Sequence, residues 1–250
     1  EQFVMEDLSR TYIKLIRDRV GSPTEQAVAA TLNETMNTLL RLLAPVMPHA
    51  AEYLYQDARD SKMPESIHLY DFPEVQKKLI DKELETQMDF AKTIVQTSLS
   101  LREEQKLRLR WPLKELIVKT KTGKELKRVL PIIASSANVK KSSETTSSPK
   151  GNYAEKALDD STSLFLNIET DAELEEEWEL MELRRRIQDA RKQAKLMPQQ
   201  KVELYISSSD ASFLKKYAKQ IEKETNTIVV PKEGAKELLL KREFYIELQK

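Results

Sequence analysis

Three groups of basic residues stand at spacings that could do chemistry. Arg10, Lys14 and Arg17 recur at helical intervals, about one turn apart on one side of a helix, where they could follow a phosphate backbone. Lys106, Arg108 and Arg110 alternate with leucines up to Trp111. Read as a strand, that segment turns its cations to one face beside an indole, and such a pairing can hold an unstacked base through stacking and cation–π attraction. Period-two counting turns Trp111 itself toward the apolar side, so a core indole stands beside the base-platform reading. In the third group, Arg184, Arg191 and Lys195 share one stripe of a helical segment. For the first and third groups, a solvated or ion-paired helix face is the plainer alternative.

Other chemistry finds no residues to carry it. There is no cysteine, and the two histidines are His49 and His68. A zinc site would need both of them plus carboxylates. His49 follows a helix-starting proline and His68 sits in a connection, so no Ser/His/Asp set is expected. Four glycines make no phosphate-cradling loop. The acidic run Glu173, Glu175, Glu176, Glu177 and Glu179 reads as a solvated helix face. No catalytic residue and no metal ligand is expected.

Composition bounds the rest. Lys plus Arg and Asp plus Glu both count 41, so the net charge of the 250 residues is zero. A uniformly basic nucleic-acid binder is excluded, and any such contact must use local patches. The absence of cysteine fits a reducing compartment. No apolar run reaches the roughly 18 residues of a membrane span, and no secretory or transit segment is visible. The chain opens at Glu1, without Met, inside what reads as a helix. The expectation is a C-terminal piece of a longer protein.

The elements that must position the basic groups follow from periodicity. Residues 1–20 read as a helix with Val4, Leu8, Tyr12, Leu15 and Ile16 on one stripe, ended by Gly21. Ser22-Pro-Thr-Glu25 reads as a capping box with proline at the first helical position, opening a helix to about Ala44. Pro45 stops it, and Pro48 starts another to about Asp57. A connection over 58–78 leads to a long helix, about Lys82 to Glu104. The period then changes to two in Leu107-Arg-Leu-Arg-Trp111, which reads as a strand continued by Leu116-Ile-Val118. A short helix is expected at about Lys124 to Ile133. The Ser/Thr-rich stretch 135–152 reads as a mobile connection or a weak strand and loop.

A long helix is expected from about Asp171 to Leu196, acidic then basic along its length, which suits the helix dipole. Val202-Glu-Leu-Tyr-Ile206 reads as a strand, Asp210 to Lys223 as a helix, Ile228-Val-Val230 as a strand, and the tail from Leu238 to Leu248 as a strand or hairpin. No internal repeat is seen. The fold class is mainly α, α+β. A helical bundle is expected over 1–105, a junction with strands, a short helix and a linker over 106–170, and a small α/β domain over 171–250.

Several motifs carry a family resemblance. Leu8-Ser-Arg-Thr-Tyr-Ile-Lys-Leu-Ile-Arg-Asp-Arg19 resembles the opening helix of the anticodon-binding domain of class I aminoacyl-tRNA synthetases. Leu43-Ala-Pro-Val-Met-Pro-His-Ala-Ala-Glu-Tyr-Leu-Tyr55 resembles that domain's Pro-x-x-Pro break, and Glu65-Ser-Ile-His-Leu-Tyr-Asp-Phe-Pro73 the extended stretch after it. Lys106-Leu-Arg-Leu-Arg-Trp-Pro-Leu113 resembles the family's basic strand after the bundle. Leu183-Arg-Arg-Arg-Ile-Gln-Asp-Ala-Arg-Lys192 resembles the helix that opens a C-terminal extension. The first three motifs occur across the isoleucyl, valyl and leucyl group. The last two, in this order, favour the isoleucyl type, archaeal and eukaryotic in style.

The chain departs from the family pattern at Val20 and Gly21 and at Ser136 and Ala137, and it lacks the catalytic signatures. The resemblance implies tRNA as partner, with contacts from Arg10, Lys14, Arg17, Lys106, Arg108, Arg110, Trp111, Arg184, Arg191 and Lys195. It also implies a cytoplasmic enzyme whose catalytic body, with ATP and magnesium, lies outside this chain. Two alternatives remain: the same module of a valyl or leucyl enzyme, or a protein-docking scaffold with incidental RNA contact.

Overall fold

The computed structural model describes residues 2–19, 21–120, 126–197, 199–234, 237–240 and 242–249. They fall into two compact units, 1–86 and 87–250, each described here by itself. Among the described residues no helix is long and apolar enough to cross a membrane.

The first unit is helical. Its opening helix α1 begins with widened i→i+5 turns over Phe3–Tyr12, continues as α-helix over Ile13–Ile16 and tightens to a 3₁₀ turn at Arg17–Arg19. The predicted stripe is its sheltered side: Val4, Leu8, Tyr12 and Leu15 are half-buried and Ile16 is buried. Gly21 then takes the left-handed conformation, φ 78°. Helix α2 spans Glu25–Leu43 and α3 spans Pro48–Ala58, with Pro48 in the first turn. Pro23 lies in the turn before α2 rather than inside it. The Ser22 hydroxyl accepts from the Thr24 N–H and there is no side-chain cap, so the capping-box reading is corrected.

The Pro-x-x-Pro break folds α3 back on α2. The core of this hairpin is Leu40, Ala44, Ala51, Tyr55 and Ile67. The following segment, with a 3₁₀ turn at Ile67–Leu69, is held from both helices. The Tyr55 hydroxyl donates to the Pro64 carbonyl at 2.7 Å. Glu52 Oε2 accepts from the Ser66 hydroxyl and the Ile67 N–H.

Helix α4, Lys82–Glu104, has the predicted bounds and leads into the second unit. Two four-stranded sheets follow. The first is ordered β2-β1-β4-β3, from Leu113–Thr120 (β1), Val139–Thr145 (β2), Tyr153–Asp159 (β3) and Thr162–Asn167 (β4). The second is ordered β6-β5-β8-β7, from Val202–Ser208 (β5), Thr227–Pro231 (β6), Glu237–Leu238 (β7) and Glu243–Gln249 (β8). In each, the first strand pairs in parallel with the second and antiparallel with the fourth, and the third pairs antiparallel with the fourth. In each, a helix crosses between the two parallel strands: α5, Leu130–Ala137, and α7, Ala211–Thr225. In each, a long helix precedes the sheet, α4 before the first and α6, Ala172–Gln193, before the second.

The unit is therefore one fold used twice in tandem, which corrects the reading of no internal repeat. The match extends to single bonds. Both leading helices end with a lysine in the left-handed conformation, Lys106 at φ 56° and Lys195 at φ 54°. The N–H of the next residue reaches back to an arginine carbonyl, Leu107 to Arg102 and Leu196 to Arg191. These are two Schellman caps with lysine where glycine is commonest. Both crossing helices end on a left-handed asparagine, Asn138 and Asn226, each at φ 52°.

The two arginines are fully inside the protein, Arg102 at 0% and Arg191 at 4% exposure. Arg102 donates to the carbonyls of Arg108, Trp111 and Asn138, at 3.3, 2.8 and 2.7 Å. Arg191 donates to those of Met197, Gln200 and Asn226, at 3.0, 2.7 and 3.2 Å. Each thus ties its helix end to the same three places in its copy.

This arrangement overturns the strand read over 107–111. The segment leaves a left-handed cap, curls so that the Trp111 N–H bonds the Arg108 carbonyl, and enters β1 only at Leu113. Leu109, an inward position in the strand reading, is 58% exposed. Of the two readings of the Ser/Thr-rich stretch, the strand and loop is the one found. Residues 139–145 form β2, in register with β1 from Leu113↔Val139 to Lys119↔Thr145. The Ser142 hydroxyl bonds the Leu130 carbonyl and the Ser143 hydroxyl bonds Glu115, so hydroxyls do there what apolar side chains would do in a core strand. The helix expected at about Lys124 to Ile133 runs later, over Leu130–Ala137; its expected start at 124–125 lies outside the described residues.

Helix α6 is capped by Asp171, whose Oδ1 accepts from the Leu174 N–H at 2.9 Å. Leu180, Leu183 and Ile187 of α6 join Leu204, Ile206, Phe213, Ile221 and Phe244 in the core of the second copy. The acidic half of α6 is not a solvated face. Glu179 is 1% exposed and pairs with Arg242, which also reaches Glu176 at 3.5 Å and Asp210 at 3.1 Å. Arg242 therefore joins α6, the start of α7 and the β7–β8 hairpin.

Two expectations follow. Arg102→Met keeps bulk but leaves the carbonyls of Arg108, Trp111 and Asn138 without their donor. A loss of about 3 kcal/mol or more is expected, read as a lower urea midpoint. Acid sensitivity is the second. The Lys216 ammonium holds the Glu176 carboxyl below its usual range, and the Ser212 hydroxyl and then Arg242 do the same for Asp210. Their stabilising contribution is complete above the unfolded carboxylate value of about 4 and is lost as pH falls through the lower folded value. Asp210→Asn is expected to flatten that part of the stability–pH curve in acid unfolding followed by circular dichroism.

Candidate nucleic-acid interface

In the first unit, Arg10, Lys14 and Arg17 are all exposed on α1, opposite the half-buried stripe that seats the helix. Arg10 is ion-paired with Glu6, one turn earlier. At full exposure such a pair is weak and a phosphate can replace the carboxylate. Both histidines are exposed.

In the second unit, the Arg102 staple turns the loop 106–111 outward. Lys106, Arg108, Leu109 and Arg110 are exposed, and Trp111 is half-buried. Trp111 does not offer an open ring. It stacks on Trp178 of α6 at 4.6 Å between centroids and 11° between planes, and the Arg108 guanidinium lies 5.4 Å from its centre. The Trp178 indole N–H donates to the Pro112 carbonyl at 2.7 Å. The Trp111 indole N–H is buried without a hydrogen-bond acceptor among the described residues. Of the two readings of Trp111, the packed one describes its geometry: an indole wedged between a second indole and a guanidinium.

The loop's charge is partly spent inside the fold. Glu182 of α6, with its side chain 5% exposed, lies 2.7 Å from Arg108 Nη1 and 3.8 Å from Arg110 Nε. Both guanidinium groups remain about half exposed, at 56% and 46%, so they keep donors free for an anion. Lys106 is exposed on the cap. This brings the second basic group against the α6 helix that carries the third.

The third group is not one outer stripe. Arg191 is buried in the staple of the second copy, and its guanidinium is used on carbonyls. Arg184 is half-buried and pairs with Glu224 at 2.8 Å. Lys195 is exposed at the left-handed cap. More of the basic run of α6 is shared at the surface: Arg185 pairs with Asp189 and Arg186 with Glu237. Sequence reading also missed Arg102, which looks in the sequence like one more helix-face cation.

Known proteins resemble the first part of this chain. Residues 1–117 match the family described as the anticodon-binding domain of tRNA ligase. The match spans 117 of the 250 residues. The match covers α1 to α4, the loop with Arg108, Arg110 and Trp111, and the first residues of β1.

The chain is also similar to archaeal proteins named isoleucine--tRNA ligase. It is 42% identical over 144 residues to that of Methanopyrus kandleri, a match covering 56% of this chain and 13% of the relative. It is 38% identical over 146 residues to that of Thermococcus kodakarensis, covering 55% and 14%. It is 37% identical over 147 residues to that of Methanothrix thermoacetophila, covering 56% and 14%. The chain therefore matches about a seventh of the length of these relatives.

The stacked indoles give a direct check. Two parallel indoles at this distance couple excitonically, so a paired band is expected in circular dichroism and is lost in Trp178→Phe. Added RNA is expected to leave tryptophan emission nearly unchanged; a strong quench would restore the base-platform reading of Trp111.

Proposed function

We propose that this chain is the tRNA-recognising part of an isoleucine--tRNA ligase, gripping the anticodon end of the isoleucine tRNA. The single observation that carries the reading is the anticodon-binding family match over residues 1–117. The names of the archaeal relatives supply the amino acid. Backbone contacts are assigned to Lys14 and Arg17, with Arg10 once Glu6 is displaced, and to Lys106, Arg108 and Arg110. Lys195 adds a charge at the cap of α6. Arg184 is a weaker candidate because Glu224 already holds it, and Arg191 and Trp111 act by shaping the surface. Phosphate contacts fix register and orientation, while base edges carry the sequence information.

The whole enzyme would join isoleucine to its tRNA at the expense of ATP, in the cytoplasm. The residues here do not fit ATP or its magnesium. The carboxylates that cluster, Glu176, Glu179 and Asp210, are held by Arg242 and Lys216, so they are not free to ligate a cation. ATP and magnesium are assigned to a catalytic part outside this chain, and that part is the second partner. The scaffold alternative draws on the internal pairing of α6. The exposed, unshared cations of α1 favour RNA.

The test is binding to an isoleucine tRNA transcript, with an anticodon-swapped transcript alongside, between 50 and 200 mM salt. Preference for the cognate anticodon with affinity falling steeply in salt is expected. Lys14→Ala with Arg17→Ala should weaken both complexes and lower the salt slope by about 1.5 to 2. Equal, weak binding of both transcripts at every salt sinks the anticodon reading and leaves the scaffold.

A further inference from the structure

The tandem copies share a skeleton but not a surface, and the difference is sharpest in their crossing helices. α5 is short and reads Leu-Pro-Ile-Ile-Ala-Ser-Ser-Ala over 130–137, without a charge. α7, at the same place in the second copy, spans Ala211–Thr225 and carries Lys215, Lys219 and Lys223 at intervals of four. All three are exposed. Successive positions four apart on a helix lie about 6 Å apart along its axis, close to the phosphate spacing of an extended nucleic-acid strand.

What distinguishes this stripe from an ordinary solvated face is the fate of the carboxylates on the same helix. Glu222 is turned inward, where its Oε1 accepts from the Val229 N–H of β6 at 2.9 Å. Glu224 is taken by Arg184 at 2.8 Å and by Gln220. Asp210, at the N-cap, is held by Ser212 and Arg242. Among the described residues no carboxylate pairs with Lys215, Lys219 or Lys223. Lys216, the one lysine of α7 off the stripe, has its own partner in Glu176. Each carboxylate of the helix is thus engaged elsewhere, and Lys215, Lys219 and Lys223 stand in a line without one.

The opposite face fixes this line in place. Phe213 and Ile221 are buried in the second core, with Leu214 and Tyr217 packed against it, so α7 cannot roll to hide its lysines. Its C-terminal end is also anchored, since the Asn226 carbonyl accepts from Arg191 of α6.

We propose that Lys215, Lys219 and Lys223 form a second RNA-backbone site, on the second copy of the tandem fold and outside the anticodon-binding segment. It takes phosphates irrespective of base sequence. The proposal rests on the tRNA reading above and extends it to a part of the chain that the family match does not reach. On this account the first copy contributes through its loop 106–110 and the second through its crossing helix, so duplication supplied two differently placed anchors.

The test uses the full 250-residue chain and its triple variant K215Q/K219Q/K223Q. Glutamine keeps helix propensity and removes only charge. Far-UV circular dichroism and the urea midpoint should match the parent. Binding is measured with the isoleucine tRNA transcript and the anticodon-swapped transcript between 50 and 200 mM salt. Affinity for both is expected to fall by the same factor, about a hundredfold or more at the lower salt, with the salt slope reduced by about 2 to 3. An unchanged slope in the variant overturns the proposal, and the anticodon reading survives it if K14A/R17A still weakens binding. A parent chain that binds neither transcript overturns both. A loss confined to the cognate transcript also overturns the proposal, because phosphate contacts cannot tell anticodons apart.

Discussion

The second unit depends on a guanidinium in the wrong place by ordinary rules. Arg102 sits wholly inside the protein with no carboxylate on it, and burial pushes its pKa down to about 10. That is still far above neutrality, so the group stays charged. The cost of removing a charge from water is offset by three carbonyl oxygens drawn to it, each a charge-assisted bond worth more than a neutral one. Those carbonyls come from the two turns of the loop after α4 and from the end of α5. One side chain therefore decides where the helix stops, how the chain reverses and where β1 meets β2. Arg191 repeats the arrangement in the second copy.

This explains a tension between composition and function. A chain with zero net charge is a poor electrostatic attractor as a whole. Much of its positive charge is structural: Arg102 and Arg191 serve backbone, Arg242 gathers three carboxylates, and the α6 arginines pair with Glu224, Asp189 and Glu237. Once these are subtracted, the exposed cations include local groups: Lys14 and Arg17 on α1, the loop 106–110, Lys195 and the α7 stripe. Local fields of this kind steer a polyanion to particular places instead of coating the surface with it.

The helical part was largely legible in the sequence because its signals are strong and local. Pro45 and Pro48 mark a helix end and a helix start whatever surrounds them, and the long apolar stripe between Lys82 and Glu104 gives the bounds of α4. The loop 107–111 misled because alternation of leucine and arginine imitates a strand, whereas the bonds that curl it come from Arg102, several residues upstream. The stretch 139–145 left two readings open because its faces are closed by hydroxyl hydrogen bonds and by partners distant in sequence. The tandem repeat escaped because little more than Arg-x-x-x-Lys-Leu, at Arg102 to Leu107 and Arg191 to Leu196, and the asparagines Asn138 and Asn226 is common to both copies. Of the candidate site residues, those on α1 stand where periodicity put them. Trp111 and Arg191 do not, since charge type and spacing say nothing of whether a guanidinium faces water or a carbonyl.

Helix α6 belongs to both copies. Its early turns lend Trp178 and Glu182 to the loop of the first, and its later turns lend Leu183, Ile187 and Arg191 to the second. A boundary drawn at its start would cut through the packing of the first copy, and one drawn at its end would behead the second. The two copies are therefore mechanically in series along one rod. A displacement felt at one sheet is carried along α6 to the other without passing through any flexible joint.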